Sequence, residues 1–176
     1  MHPADDTCRP HLRTFALPDE AATLALGAAL AQVVTPSAVI YLEGDLGAGK
    51  TTLVRGWLQK VGAGETAKSP TYTLVEPHVT SGLNLYHFDF YRFTIPEEFL
   101  DAGLDEYFAA QGICLVEWPD RAAPYLPAPD LRVQLVLDGA GRRVRIESAS
   151  ERGGAWLKQL PSSLGATSSS LPQPPA

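Results

Sequence analysis

Apolar positions along the chain fall into short runs of two different periods, and those runs mark out alternating elements. In LPDEAATLALGAALAQVV, Ala22, Leu26, Ala29, Leu30 and Val33 recur at helical spacing behind Pro18, Asp19 and Glu20, residues that open helices. TPS at Thr35 to Ser37 ends that helix. AVIYLEG reads as a short β-branched and aromatic strand running into glycines, and TTLVRGWLQKV as a helix with Leu53, Val54, Trp57, Leu58 and Val61 on one face and Gly62 as its stop. AGETAKSPTYTLVEPH is a loop leading into an extended stretch, after which LNLYHFDFYRF predicts a second strand whose apolar run ends in an acid. PEEFLDAGLDEYF predicts one helix, with Pro96 near its first turn and acids early, where they complement the helix dipole. ICLVEWPD is a third strand, apolar enough to be buried on both faces. LRVQLVLDGAGRRVRIES alternates on both sides of a glycine turn at Asp138 to Gly141, which predicts a β-hairpin.

Strands alternating with helices predict an α/β fold in three layers, with a mostly parallel central sheet, an antiparallel C-terminal hairpin and helices on both faces. A chain of 176 residues suits one such domain. Residues 1–13 read as a ragged N-terminus, 14–150 as the domain, and 151–176 as a short turn or helix at GAWLKQL followed by a disordered tail. SSLGATSSSLPQPPA is Ser/Pro-rich and too poor in large apolar groups to pack.

Composition narrows the function classes. With 45% hydrophobic and 19% charged residues the chain is ordinary for a soluble protein, and no run approaches the roughly 18 apolar residues of a membrane span. The start, MHPADDTCRPHLR, lacks the basic start and apolar run of a secretion signal, so the expectation is a cytoplasmic protein without membrane attachment. A net charge of -6 argues against a surface that neutralises nucleic-acid phosphates by itself, so any role in nucleic-acid chemistry runs through a protein partner. Cys8 and Cys114 form neither a metal spacing nor a disulfide framework, and Cys114 reads as a buried core thiol.

The chemistry is concentrated in YLEGDLGAGKTTLVRGWLQKVG, which contains GxxxxGK followed by Thr between a strand and a helix, the context that a phosphate-binding P-loop requires. Gly44, Gly47 and Gly49 allow successive N–H groups to point at a β-phosphate, Lys50 places a charge between β- and γ-phosphates, and Thr51 offers a hydroxyl to Mg²⁺. The expected fold is therefore a P-loop NTPase sandwich. An acid at a neighbouring strand end holds the metal or its water in such sites, and Asp89 and Glu117 are the two candidates, each also readable as a solvated strand-end acid. Thr71, in the loop Lys68-Ser69-Pro70-Thr71, stands where a GTPase carries a γ-phosphate-sensing threonine, though a plain Ser-Pro turn reads the same way. No Asn-Lys-x-Asp guanine signature follows, which favours ATP. The run Arg142, Arg143, Arg145 is a solvated strand face or supplies one member to the nucleotide.

Together these pieces resemble the TsaE family, also called YjeE, the small P-loop ATPases of bacterial tRNA threonylcarbamoyladenosine synthesis. LPDEAATLALG, IYLEGDLGAGKTTLVRG, KSPTYTLVEPH, YHFDFYRF and ICLVEWPD carry the resemblance in the family's order, over about Leu17 to Ile146. It implies an ATP- and Mg²⁺-dependent ATPase, weak alone, that works with the partner proteins TsaB and TsaD and meets tRNA only through that complex, allowing it multiple turnovers. It also implies that Thr51 and Glu117 are magnesium ligands, with Asp89 as the Walker B acid beside them. Gly47, Ala48, Gly49, Lys50, Thr51 and Thr52 become the phosphate cradle, and Lys50, Thr71, Asp89 and Glu117 the catalytic set. Glu20 and Arg142 are adenine-side contacts by topology and family position, and Trp118 sits beside Glu117 as core or as partner surface. Two other classes stay open: a small-molecule P-loop kinase, and a nucleotide-gated binding module in which hydrolysis is dispensable.

Overall fold

The computed structural model describes residues 10–64, 68–80 and 82–165. Its elements run β1 (Leu12–Leu17), α1 (Glu20–Val33), β2 (Val39–Glu43), α2 (Lys50–Val61), β3 (Val75–Thr80), β4 (Leu83–Asp89), α3 (Glu98–Asp101), α4 (Asp105–Ala109), β5 (Ile113–Glu117), a 3-10 turn (Pro119–Ala122), β6 (Leu131–Asp138), β7 (Gly141–Ser148) and α5 (Glu151–Gln159). The strands form one sheet in the order β1-β7-β6-β2-β5-β4-β3. Pairings β4–β5, β5–β2 and β2–β6 are parallel, while β6–β7, β7–β1 and β4–β3 are antiparallel. A parallel centre with antiparallel margins is the expected α/β architecture, extended by two edge strands.

Burial follows from strand alternation. Inward positions of the central strands, among them Ile40, Leu42, Ile113, Leu115, Val133 and Leu135, share one core with Leu53 and Trp57 of α2, Leu26 and Leu30 of α1, and Trp156 of α5. The opposite positions Val39, Tyr41, Cys114 and Val116 pack instead under Phe88, Phe90, Phe93 and Phe99. Burial pushes the Cys114 thiol up to about 12, as expected of an inert core cysteine.

Helix α1 starts where Asp19 accepts a hydrogen bond from the Ala22 N–H at 2.8 Å. It packs on α2 backbone to backbone, and glycine is what lets it do so. A Cβ at Gly27 would lie 2.0 Å from the Leu53 carbonyl oxygen, and one at Gly56 would lie 2.1 Å from that of Leu24. This contact fixes the height at which α2 presents its N-terminus to the loop before it.

Three features differ from the sequence-based expectation. PEEFLDAGLDEYF does not make one helix: α3 and α4 are separate short pieces, with Gly103 between them at φ +66°. The break lets Phe99 turn into the second core, where its ring meets Phe90 and Phe108. At the N-terminus, Leu12 and Arg13 belong to β1, which pairs with β7 from Leu12↔Glu147 to Leu17↔Arg142, so ordered structure begins before residue 14. At the other end, the short helix expected at GAWLKQL is present as α5, nine residues capped by Ser150, but its Trp156 and Leu157 are buried, so the folded unit continues past residue 150. Arg13 ties the two ends together by donating to the carbonyls of Leu157 at 2.9 Å and Leu160 at 3.2 Å. Leu164, inside the stretch expected not to pack, rests on the main core. The Ser/Pro-rich segment from residue 166 and Cys8 lie outside the described residues.

Candidate functional site

The parallel strands β4, β5 and β2 end on the same edge of the sheet, so Asp89, Glu117 and the glycine-rich loop after Glu43 arrive together there. Asp89 and Glu117 are direct neighbours in the β4–β5 register, and both are 3% exposed. Ligands of open α/β sheets gather at this carboxyl edge.

The loop is built by glycine where nothing else fits. Gly44 sits at φ +147°, and a Cβ there would lie 2.5 Å from the Leu135 carbonyl oxygen. Gly49, at φ +109°, opens α2 without any side-chain cap, so the first N–H groups of that helix are left for a ligand. Arg142 braces the loop: its Nε donates to the Ala48 carbonyl at 2.9 Å and its Nη2 to that of Gly47 at 3.0 Å. Those two bonds hold the carbonyls of Gly47 and Ala48 on Arg142.

Lys50 is buried, donating to the carbonyls of Gly44 and of Asp45 (3.0 Å), with its ammonium 4.7 Å from the centre of the Trp118 ring. Burial pulls its pKa below the ordinary lysine value, and the carboxylates of Glu117, Asp89 and Asp45 oppose that shift. Trp118 adopts a left-handed backbone conformation at φ +56°, and its half-buried ring also packs on Tyr91. Its ring therefore joins the rim of the second core to the Lys50 ammonium.

The two acids hold different partners. Thr51 Oγ1 donates to Glu117 Oε1 at 3.2 Å, linking the start of α2 to the end of β5. Asp89 instead takes hold of the loop before β3: Ser69 Oγ and Thr71 Oγ1 (3.2 Å) donate to Oδ2, while the Tyr91 N–H donates to Oδ1 at 2.9 Å. Lys50, Thr51, Thr71, Asp89, Glu117 and Arg142 line one cavity of about 320 Å³. Its side-chain oxygens include the hydroxyls of Thr51, Thr52, Ser69 and Thr71 and the carboxylates of Asp89 and Glu117, and no group of three His, Cys, Asp or Glu able to hold a metal ion by itself occurs among the described residues. A hard cation that keeps several waters and takes its other oxygens from phosphate suits that set, and an all-protein cage does not. Thr51, Glu117 and Asp89 can hold magnesium, and the uncapped α2 terminus with Lys50 can hold its phosphates.

Glu20 and Thr52 meet Arg142 at a neighbouring cavity of about 250 Å³. Glu20 is ion-paired with Arg55 at 3.0 Å. Of the arginine run only Arg142 turns to the site; Arg143 pairs with Asp138 at 2.8 Å and Arg145 with Glu147 at 3.5 Å on the exposed side. One residue of the site was not singled out by sequence reasoning. His87 has no exposed surface, and its Nε2 lies 2.9 Å from Glu117 Oε1. The signal was available, because His87 falls between Leu85 and Asp89 in the inward row of a strand whose other inward position is apolar.

A family model described as "Threonylcarbamoyl adenosine biosynthesis protein TsaE" matches residues 17–144, from the end of β1 into β7. The chain belongs to the TsaE family. Among its relatives, the "tRNA threonylcarbamoyladenosine biosynthesis protein TsaE" of Haemophilus influenzae is 41% identical over 142 residues, covering 78% of this chain and 90% of its own length. The protein of the same name from Bacillus subtilis is 44% identical over 119 residues, 68% of this chain and 73% of its own. The crystal structure of YdiB from Bacillus subtilis superposes with a TM-score of 0.72 at 30% identity, covering 88% of this chain and 97% of that one. The family places the chain in biosynthesis of a modified tRNA nucleoside. No helix among the described residues is long and apolar enough to cross a membrane.

Proposed function

We propose that this chain is a Mg²⁺-dependent ATPase of the cytoplasm that acts with TsaB and TsaD, its hydrolysis allowing the threonylcarbamoyl transferase complex to modify successive tRNAs at the adenosine beside the anticodon. The observation that carries the reading is the pairing of Asp89 and Glu117 side by side at the mouth of the glycine-rich loop, each bonded to a different hydroxyl, Thr71 and Thr51. Magnesium, when bound, supplies charge neutralisation across the β- and γ-phosphates. The protein's own groups do the positioning. Lys50 exchanges the carbonyls of Gly44 and Asp45 for phosphate oxygens, a favourable move because its burial leaves the ammonium poorly solvated. Thr51 donates its hydroxyl hydrogen to Glu117, which would leave its oxygen lone pairs free to hold a magnesium ion. The α2 N-terminus stabilises charge gathering on the leaving ADP.

Asp89 ties the Thr71 loop to the same point, so whatever moves that loop changes the surroundings of the γ-phosphate. Tyr72, exposed at 80% beside Thr71, gives a docking partner a handle on the loop. A residue supplied in trans is worth about a thousandfold or more in phosphoryl transfer, which accounts for a domain of slow intrinsic turnover awaiting partners. The test is threonylcarbamoyl transfer by the reconstituted partners with and without this chain.

A further inference from the structure

We propose that His87 is the positioning residue for Glu117, and through it for the Thr51 hydroxyl; the proposal rests on the magnesium-ATPase reading. His87 is fully buried on β4, and its ring reaches across to β5, where Nε2 lies 2.9 Å from Glu117 Oε1. Its other nitrogen, Nδ1, is buried and has no hydrogen-bond partner among the described residues. A proton on Nδ1 alone would aim the Nε2 lone pair at a carboxylate oxygen and leave a buried donor unsatisfied, two costs at once. The ring therefore carries its proton on Nε2 and donates to Glu117.

Glu117 then receives two donors, His87 Nε2 and Thr51 Oγ1, on the same oxygen, Oε1. No hydrogen bond to Oε2 is present among the described residues, so the carboxylate is pinned at one oxygen where it lines the cavity and keeps the other free. The pin matters because the charge of Lys50 couples more strongly to Glu117 than to Asp89 or Asp45. Without His87 the carboxylate is free to turn toward that ammonium. Lys50 and Glu117 would then neutralise each other instead of meeting phosphate and metal. Outer-sphere donors of this kind orient ligands in metal sites generally.

The experiment compares wild type with His87→Phe and His87→Gln in the full chain. Gln places an amide N–H where Nε2 stands, whereas Phe fills the volume without a donor. ADP binding is measured by calorimetry with and without Mg²⁺, thermal unfolding is recorded alongside, and the tautomer of His87 in nucleotide-free wild type is read by long-range ¹⁵N–¹H NMR. Expected is an Nε2-protonated ring. His87→Phe should keep metal-free ADP affinity within about threefold, yet need roughly 10–100-fold more Mg²⁺ to reach half of the metal-dependent gain. His87→Gln should recover most of that loss. An Nδ1-protonated ring, or wild-type Mg²⁺ dependence in His87→Phe, would overturn the assignment. So would equal impairment of both variants accompanied by equal losses in melting temperature, since that marks a packing role. A wild-type chain that binds no magnesium nucleotide would sink the ATPase reading instead, and the NMR result would still judge the His87–Glu117 contact. Should neither variant fold, the wild-type tautomer alone decides.

Discussion

Arg142 offers a sharp test of how the phosphate loop is held. Its guanidinium spans the carbonyls of Ala48 and Gly47 at 2.9 and 3.0 Å, and no other donor to either oxygen is present among the described residues. Arg142→Met keeps the aliphatic stem and removes both bonds. A hydrogen bond from a charged donor is worth about 1.5–3 kcal/mol, and at a half-buried site where water partly replaces the donor the low end applies to the pair together. A loss of about 1.5 kcal/mol in holding the loop corresponds to a roughly 10-fold weaker affinity for ADP, measured by calorimetry in excess Mg²⁺. Arg142→Lys, a point donor without the fork, should recover one carbonyl and fall between. Arg143→Met removes the same formal charge from the exposed side, where Arg143 pairs with Asp138, and should shift affinity by less than about twofold. Equal effects of the Arg142 and Arg143 substitutions would show that only net charge matters, and ADP binding by Arg142→Met within twofold of wild type would refute the bracing role.

Two further outcomes follow from the packing around the site. Gly56→Ala puts a methyl 2.1 Å from the Leu24 carbonyl oxygen, so α1 and α2 must separate; overpacking of this kind costs about 1–3 kcal/mol, which should lower the melting temperature by roughly 2–12 °C, and an unchanged melting curve would contradict the backbone contact. Asp130 joins β2, β6 and α5 by accepting from the Val39 N–H at 3.0 Å, Ser150 Oγ at 2.7 Å and Arg152 at 2.9 Å. Burial pushes its carboxyl up, but the bonds from Arg152, Ser150 and Val39 outweigh this and hold it below the ordinary aspartate value. A depressed folded pKa gives stability that is complete above the ordinary value of about 3.9 and is lost as pH falls through the lower folded value. Asp130→Asn should therefore cost about 2 kcal/mol at pH 7 by urea unfolding, a deficit that begins to shrink below about pH 4 and closes once the pH falls under the depressed folded value, whereas a deficit that persists undiminished in acid would point to shape rather than charge.

Much of this site could be read from residue order, because a glycine-rich loop between a strand and a helix specifies its own backbone. Gly44, Gly49 and Gly62 all take positive φ, as their positions at the loop, the helix entry and the helix stop predict. Asp89 and Glu117 were legible as strand-end acids, yet their division of labour was not, since pairing with Thr71 or Thr51 depends on the β4–β5 register. β1 escaped notice because only Phe15 and Leu17 face the main core and Arg13 takes the third inward place. The split of α3 from α4 was hidden by an acid-rich, helix-like pattern across Gly103. Arg142 is an adenine-side candidate by topology and family position; its bonds to the carbonyls of Gly47 and Ala48, 95 and 94 residues away in sequence, exist only once β7 lies against α2's entry.

The central claim, that this chain's hydrolysis renews a tRNA-modifying complex, is tested most directly by reconstituting threonylcarbamoyl transfer with tRNA in excess over the enzyme. Modified tRNA and consumed ATP are measured without this chain, with wild type and with Glu117→Ala. The account predicts a single round of modification without the chain or with Glu117→Ala, and many rounds with wild type, with ATP consumption rising in step. Multiple turnover in the absence of the chain would contradict it, and multiple turnover with a Glu117→Ala chain that no longer hydrolyses ATP would leave only a nucleotide-gated binding role.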